Sequence, residues 1–346
     1  MKILVTGGIG NIGLVVVKHL LDRGYELRVI DYKPLEDLEP GLFPEIHNLE
    51  YRQVDIRNFK AVKDSLEGMD SVVHLAAIPH PMIDHASEIF SINAGGTFNI
   101  YQAAAEFGIN RIVSASSINF LGNGFGKRPI DVKYFPIDED HPGYATDVYA
   151  FSKQLVEAIA AYFWQRDAIT SACLRFPFVY NPARFSPDLR DQHLQRNQKS
   201  FRYLMELPKD KRQEVAQNLI DLTLKLRRQR MNGEISYPEM MQTINTIPGG
   251  ALMFSFGDFW THLHVQDAAL SIERALIADY EGCQPFYIAD PENGLGLPSR
   301  DLAELFYPEV KVWKRDIQRS QTLLNCEKAS SVLGFEVSKA QDSNPT

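Results

Sequence analysis

The sequence predicts an α/β fold, a doubly wound parallel sheet, on three observations. Short apolar runs alternate with amphipathic segments through residue 176. A glycine-rich turn, TGGIGNIG (6–13), stands between the first run and the first amphipathic segment. A charge-rich, helix-prone stretch interrupts the rhythm only after residue 185. Strand, helix, strand in repeated order implies parallel strands with helices on both faces.

The elements follow in chain order. KILVT (2–6), ELRVID (26–31), LEYRQVD (49–55), SVVHLAA (71–77), RIVSAS (111–116) and TSACLRF (170–176) read as strands. GLVVVKHLLDRG (13–24) and NAGGTFNIYQAAAEFG (93–108) read as covering helices. Residues 185–247 read as an inserted helical segment. Within it Val215, Leu219, Leu222 and Leu226 form one apolar stripe at helical spacing, enough to dock one face and leave the charges in water. THLHVQDAALSIERAL (261–276) reads as a strand end and a helix, PFYIAD (285–290) as a strand, and SRDLAELF (299–306) and CEKASSVLGF (326–335) as short helices. The tail SKAQDSNPT is expected to be disordered.

Composition narrows the function classes. The 346 residues are 45% hydrophobic and 23% charged, which suits a sizeable core. The net charge of −8 offers no basic footprint for nucleic acid or an anionic membrane. Three dispersed cysteines, Cys173, Cys283 and Cys326, form no CxxC pair and fit a reducing compartment. With no secretory leader pattern after Met1-Lys2 and no apolar stretch of membrane-spanning length, the expectation is a cytoplasmic protein.

Gly7, Gly10 and Gly13 follow G-x-x-G-x-x-G spacing between a strand and a helix. Glycine allows the tight turn and lets a pyrophosphate approach backbone N–H groups at the helix N-terminus. Asp31 ends the second strand, where a carboxylate accepts both ribose hydroxyls and repels a 2′-phosphate. NAD is therefore expected over NADP, with Lys33 close by as the one contrary signal. Asp55, at the end of the third strand, is open to two readings: a contact to adenine, or a cap for the helix from Asn58 on.

YAFSK (149–153) opens a predicted helix and sets Tyr149 and Lys153 at i and i+4, on one face. A free tyrosine, with a pKa of about 10, is a poor base at neutral pH. An ammonium one turn away favours the phenolate. Tyrosine tuned in this way takes a proton from an alcohol as hydride leaves the same carbon.

Taken together, TGGIGNIG, Asp31, HLAA (74–77), the NAGGT stretch at Asn93, the paired serines of ASSINFLG (115–122) and YAFSK resemble the extended short-chain dehydrogenase/reductases. More narrowly, the chain looks like the NAD-dependent epimerase/dehydratase family over residues 1–183, and more loosely over 251–335. The resemblance implies a Rossmann-type sheet and a catalytic trio of Ser117, Tyr149 and Lys153, with Ser116 supporting the turn. It implies cofactor contacts from Gly7, Gly10, Asn11, Ile12, Gly13, Asp31, Asp55, Ile56, Leu75, Ala76, Ala77, Asn93, Tyr149, Lys153 and Pro177. It implies a homodimer built on the helices near 94–107 and 149–163, the first rich in small residues at Ala103–Ala105.

The pattern also departs from the family. Sugar dehydratases carry acids directly after the catalytic Ser or Thr, whereas Ile118 and Asn119 stand here, so dehydration is set aside. Phe178 occupies the place of a substrate-binding Asn after the sixth strand, and Trp260 the place of a diphosphate-binding Arg. Ser117, Asn119, Phe178 and Trp260 are the expected substrate contacts. ASSINFLG is also similar to a stretch of the family's uronate dehydrogenases. Arg175 is either a carboxylate holder or half of a structural pair in the sheet. His262 and His264 alternate on one strand without further ligands, so packing is expected and a metal is not.

The expected organisation is an NAD-binding domain (1–183), a helical insert serving as lid or interface (184–250), and a smaller C-terminal substrate-binding region with the tail (251–346). The expected activity is NAD-dependent hydride transfer at a carbinol carbon of a free sugar, sugar acid or polyol. The alternatives are a nucleotide-sugar epimerase with tightly bound NAD and, further off, a non-catalytic NAD sensor.

Overall fold

The computed structural model describes residues 1–37 and 48–338. Along the chain lie β1 (Lys2–Thr6), α1 (Gly13–Asp22), β2 (Glu26–Asp31), β3 (Leu49–Gln53), α2 (Phe59–Leu66), β4 (Ser71–His74), α3 (Ala86–Phe90), α4 (Thr97–Glu106), β5 (Arg111–Ser117), α5 (Val148–Asp167), β6 (Thr170–Phe176) and β7 (Phe178–Tyr180). Then follow α6 (Pro187–Glu206), α7 (Lys209–Met231), α8 (Tyr237–Asn245), β8 (His262–His264), α9 (Val265–Ile277), β9 (Cys283–Tyr287), α10 (Ser299–Phe306) and α11 (Glu327–Leu333). Among the described residues, the main sheet has the order β3-β2-β1-β4-β5-β6-β9, all parallel. The predicted doubly wound sheet is thus observed. Its last strand begins two residues earlier than PFYIAD suggests.

Alternation along each strand builds two cores, because successive side chains point to opposite faces. Ile3 and Val5 pack with Val16, Leu20 and the α9 residues Ala268 and Ile272. Leu4 packs on the other face with Ile100, Tyr101, Val156 and Phe163. Register decides where chemistry collects. Thr6 of β1 lies opposite Ile30 of β2 and His74 of β4. The chain therefore leaves β1, β2 and β4 at one edge, where the strand order reverses between β1 and β4. Ligands of such sheets bind at that edge.

The insert forms three helices, and it does more than dock by one stripe. α7 buries Ala216, Leu219, Ile220, Thr223, Leu224, Leu226 and Arg227, while Val215 and Leu222 are only partly buried at the margin. Together with Leu204, Met240 and Ile244 these residues share a third core with Leu121, Phe135, Phe306 and Tyr307 of the body. The stripe reading is corrected accordingly, since the segment completes a core. α8, inside the predicted helical stretch, begins with a capping box in which Ser236 and Glu239 satisfy each other's backbone N–H groups. β7 and β8 pair into a small parallel ribbon, with Phe178 opposite His262 and Tyr180 opposite His264. The expected disordered tail falls, from Lys339 on, outside the described residues.

Candidate active site

The glycine turn is shaped by close approach. Gly7 sits at φ +70, and a Cβ there would meet the Ala76 backbone nitrogen at 2.7 Å. A Cβ on Gly13 would lie 2.2 Å from the Gly7 carbonyl oxygen. No side chain caps the start of α1, so its first-turn amides suit an anion. Asp31, nearly buried at the end of β2, accepts from the amides of Ile9 at 3.4 Å and Tyr32 at 2.8 Å. Burial raises its pKa, and those amides and Lys33 oppose the rise. Both carboxylate oxygens keep lone pairs for a diol, so the residues present fit NAD.

Asp55 does not cap α2. Asn58 does, accepting from the Ala61 amide at 3.2 Å. Asp55 instead pairs with Arg57, whose hydrogen bonds hold its pKa down. The Ile56 side chain turns inward, where a Cβ on Gly96 would meet it at 2.4 Å. The amides of Leu75 and Ala76 donate to the Thr6 hydroxyl at 3.2 and 3.1 Å. Pro177 is buried at the join between β6 and β7, and Ala77 is half-buried beside Ala76.

Several polar side chains hold this edge together. His74 bridges the hydroxyls of Thr6 (2.8 Å) and Thr97 (2.9 Å), and burial keeps it neutral, with its pKa pushed down to about 3. Asn93 sits in a π-helical turn spanning Ser91–Gly96. Its Oδ1 accepts from the Ile78 amide at 2.8 Å and its Nδ2 donates to Ser152 of α5 at 3.1 Å. Wide turns of this kind often mark functional sites. Asn181 donates to the Asn11 side chain at 2.9 Å, joining the phosphate turn to the chain leaving β7. HLAA, NAGGT and YNP carry His74, Asn93 and Asn181 in the sequence, but a buried partner is a tertiary fact.

Asp147 caps α5, accepting from the Ala150 amide at 2.9 Å, and so sets Tyr149 in the first helical turn. The Lys153 Nζ lies 5.6 Å from the centre of the Tyr149 ring and donates to the Ala115 carbonyl at 2.8 Å. The Ser117 hydroxyl accepts from the Asn119 amide at 3.1 Å and donates to the Phe176 carbonyl at 3.4 Å, close enough to the Tyr149 phenol to lower its pKa. The structure places Ser117, Tyr149 and Lys153 close together, with electrostatics unlike those the i, i+4 spacing suggests. Burial raises the Tyr149 pKa, Asp258 and Asp147 raise it further, and the lowering contribution comes from Ser117 rather than Lys153. Burial also pulls Lys153 down to about 8. Desolvation of both groups outweighs the attraction inferred from i, i+4 spacing.

Beyond Tyr149 the body and the insert enclose a chamber of about 680 Å³. Phe178, Trp260 and His262 line it, as do Phe125, Phe185, Leu189, Arg190, Arg230, Met241 and Asp258. Phe125, on the chamber wall, sets its ring edge-on to Tyr149, 5.9 Å between centres. Ser117 and Asn119 are not among its lining. Asn119 is packed under the next loop, where a Cβ on Gly124 would overlap its Oδ1 at 1.7 Å. Ser116 donates to Glu157 at 2.7 Å instead of bracing the turn. Arg175 pairs with the same carboxylate, which decides between its two readings in favour of structure. Among the described residues no group of three or more His, Cys, Asp or Glu suits a metal ion, and no helix is long and apolar enough to cross a membrane.

Residues 3–203 match the family model described as "NAD dependent epimerase/dehydratase family". The chain is 32% identical over 158 residues to a 3 beta-hydroxysteroid dehydrogenase/Delta 5-->4-isomerase from Monkeypox virus, covering 45% of this chain and 44% of that protein. It is 29% identical over 184 residues to an L-arabinose 1-dehydrogenase (NAD(P)(+)) from Haloferax volcanii, covering 51% and 67%. A short-chain dehydrogenase/reductase superfamily protein from Agrobacterium tumefaciens, solved with bound NAD, superposes with a TM-score of 0.61 at 20% identity, over 98% of this chain and 93% of that one. At that identity the likeness concerns the fold.

Proposed function

The chain belongs to the NAD dependent epimerase/dehydratase family, and on that premise we propose that it is an NAD-dependent oxidoreductase acting at a carbinol carbon of a sugar-like substrate, whether free sugar, sugar acid or polyol. The observation that carries this reading is the convergence of Tyr149 with Lys153, whose Nζ lies 5.6 Å from the ring centre, at the sheet edge that ends in Ser117 and holds the glycine turn. A substrate hydroxyl set against this pair gives its proton to Tyr149 while Ser117 holds the oxygen. Lys153 keeps a positive charge behind the ring until its own proton is lost. When bound, NAD supplies the hydride acceptor and the positive charge of its oxidised ring. Gly7, Gly10, Asn11, Ile12 and Gly13 would hold its phosphates and Asp31 its ribose, with Asp55 near the adenine. The name of the Haloferax relative supports a free sugar as substrate.

The size of the chamber favours a second reading, a nucleotide-sugar epimerase with tightly bound NAD, because a free sugar fills only part of it. The test is a panel of free sugars, uronates and polyols with added NAD. Accumulating NADH supports the dehydrogenase. NAD retained through purification, with UDP-sugar interconversion and no net NADH, supports the epimerase. Intact NAD binding without either reaction overturns both.

The same reading includes a homodimer. Support comes from two stacked aromatic pairs that are left exposed on neighbouring helices, Phe90 with Phe151 and Phe98 with Tyr162. Exposed aromatic clusters of this kind mark interfaces. The three free cysteines support a reducing, cytoplasmic setting. The NAD-binding part is read as 1–183, the insert (184–250) as the chamber's lid and the remainder as the substrate-binding region.

A further inference from the structure

We propose that Asp258 is a substrate-reading residue, whose carboxyl accepts a hydrogen bond from a hydroxyl other than the one being oxidised. The proposal rests on the reading of the chamber as the carbinol site. It deepens that reading by requiring a substrate with at least two hydroxyls.

Asp258 is the one carboxylic acid on the chamber wall among the described residues. Its carboxyl has no hydrogen-bond partner among them, although its own amide and carbonyl are both used. Protein surrounds it, yet it keeps some accessible surface, because that surface faces the chamber. An unpartnered carboxyl in such a place costs free energy unless something completes it. Arg190, Arg196 and Arg230 line the same chamber, which disfavours a cationic ligand and leaves hydroxyls as the donors.

The backbone around Asp258 is held in place at a cost. Phe259 and Trp260, the next two residues, both lie in the left-handed region at φ 51 and φ 57. For residues with a Cβ this conformation is unfavourable. Four contacts enforce it. The Trp260 amide donates to Ser255 at 2.8 Å, its indole N–H to Leu252 at 2.9 Å, the Thr261 hydroxyl to the Asp258 carbonyl at 2.5 Å, and the Phe259 ring stacks on Tyr307 at 5.3 Å. Gly257 lies so close to Gly124 that a Cβ would meet its Cα at 2.5 Å. The strained turn thus fixes the carboxyl against the loop that follows Ser117.

The insert supplies the counter-charge. Arg227 of α7 is buried, donates to the Asn123 carbonyl at 2.8 Å, and acts electrostatically on Asp258, Asp147 and Tyr307. Burial lifts Asp258 to about 7 and Arg227 opposes the rise. The groups facing Asp258 are therefore Arg227 from α7, Tyr149 of α5 and Tyr307 after α10. The chamber histidines His80, His193 and His262 are all held below their usual range by burial.

The test compares wild type with Asp258→Asn, using L-arabinose, glucuronate and an acyclic hexitol as probes. Binding to the NAD-loaded protein is read by calorimetry, and turnover by NADH. The expected result is probe binding weakened about 10- to 100-fold, as for loss of a hydrogen bond to a charged group, with NAD affinity unchanged. Wild-type binding is expected to tighten as pH rises through about 7, where Asp258 ionises, and the variant to lose that dependence. A merely structural residue would not carry that slope. Wild-type oxidation with unchanged binding in the variant overturns the proposal and leaves the oxidoreductase reading standing. Binding that depends on Asp258 without NADH formation sustains the proposal and overturns the reaction. Failure of wild type to bind any probe overturns the proposal. If the variant loses its folded circular dichroism, Asp258→Ser is measured in its place, and the same outcomes decide.

Discussion

The Arg175 guanidinium grips both oxygens of the Glu157 carboxylate, at 2.9 and 2.8 Å, behind the strand that carries Ser117. Ser116 adds a third hydrogen bond, and the guanidinium stacks on Phe120 at 3.8 Å. This geometry spends the arginine on the interior and leaves nothing for a substrate carboxylate. Arg175→Met would strand a buried charge, so we expect a loss of about 3–5 kcal/mol in chemical denaturation. Pairing it with Glu157→Gln should recover part of that loss. Unchanged stability in the single variant would show the pair to be idle.

Tyr149→Phe removes the hydroxyl proposed to take the substrate proton and leaves ring packing against Phe125 in place. Turnover should fall by roughly 10²–10⁴-fold, with NAD affinity little altered. Wild-type turnover in that variant would exclude Tyr149 as the base.

Asp31→Ser removes the carboxylate that faces the ribose position. Relative use of NADP should improve, because the charge that repels a 2′-phosphate is gone. The ratio of kcat/KM for the two cofactors is the measurement, and a fixed ratio would place Asp31 away from the ribose. The serine keeps a short polar side chain for the Ile9 and Tyr32 amides.

Lys153 gives two pH effects with opposite senses. Its folded pKa is about 8 against 10.5 for an ordinary lysine, because burial disfavours the ammonium. Between those values the unfolded chain binds more protons, so this group makes stability rise with pH across that window. The proposed reaction uses the charge, so turnover should fall as pH passes about 8. Melting temperature against pH, compared with Lys153→Met, isolates the first effect. If the variant and wild type show the same slope from pH 8 to 10, burial does not perturb the lysine.

Much of the fold was legible because parallel strands are short apolar runs and their helices are amphipathic. Gly7, Gly13, Asp31 and the Tyr149–Lys153 spacing are local signals for local geometry. The β7–β8 pairing was not legible: THLHV reads as a strand, but its partner FVY has only three residues and stands directly after β6. The buried face of α7 was misread because Thr223 and Arg227 lie within it, and a buried arginine breaks the apolar pattern. Asp258 left no mark in the sequence, since both its burial and its field come from Arg227, Tyr149 and Tyr307, which are distant in the chain. The tuning of Tyr149 was misjudged for a related reason: spacing reveals proximity, while desolvation depends on everything packed around the pair.

The exposed rings of Phe98 and Phe151 give the dimer a direct test. Phe98→Glu with Phe151→Glu places charges within the proposed interface and touches none of the trio. Light scattering should report a monomer that still binds NAD. A dimer of unchanged size would move the interface elsewhere on the chain.

The chamber has a practical consequence for changing what the protein accepts. Its outer wall comes from α6 and α8 through Leu189, Leu194, Tyr237 and Met241, whereas the cofactor edge is built from β1, β2 and β4. The two share no side chains. A small combinatorial library at those four wall positions can therefore redraw the shape of the space without disturbing the NAD cradle. Deleting the helices cannot do this, because Leu204, Leu219 and Ile244 also close the core beneath Phe306 and Tyr307. Selectivity here is a property to be edited residue by residue, on a frame that has to stay whole.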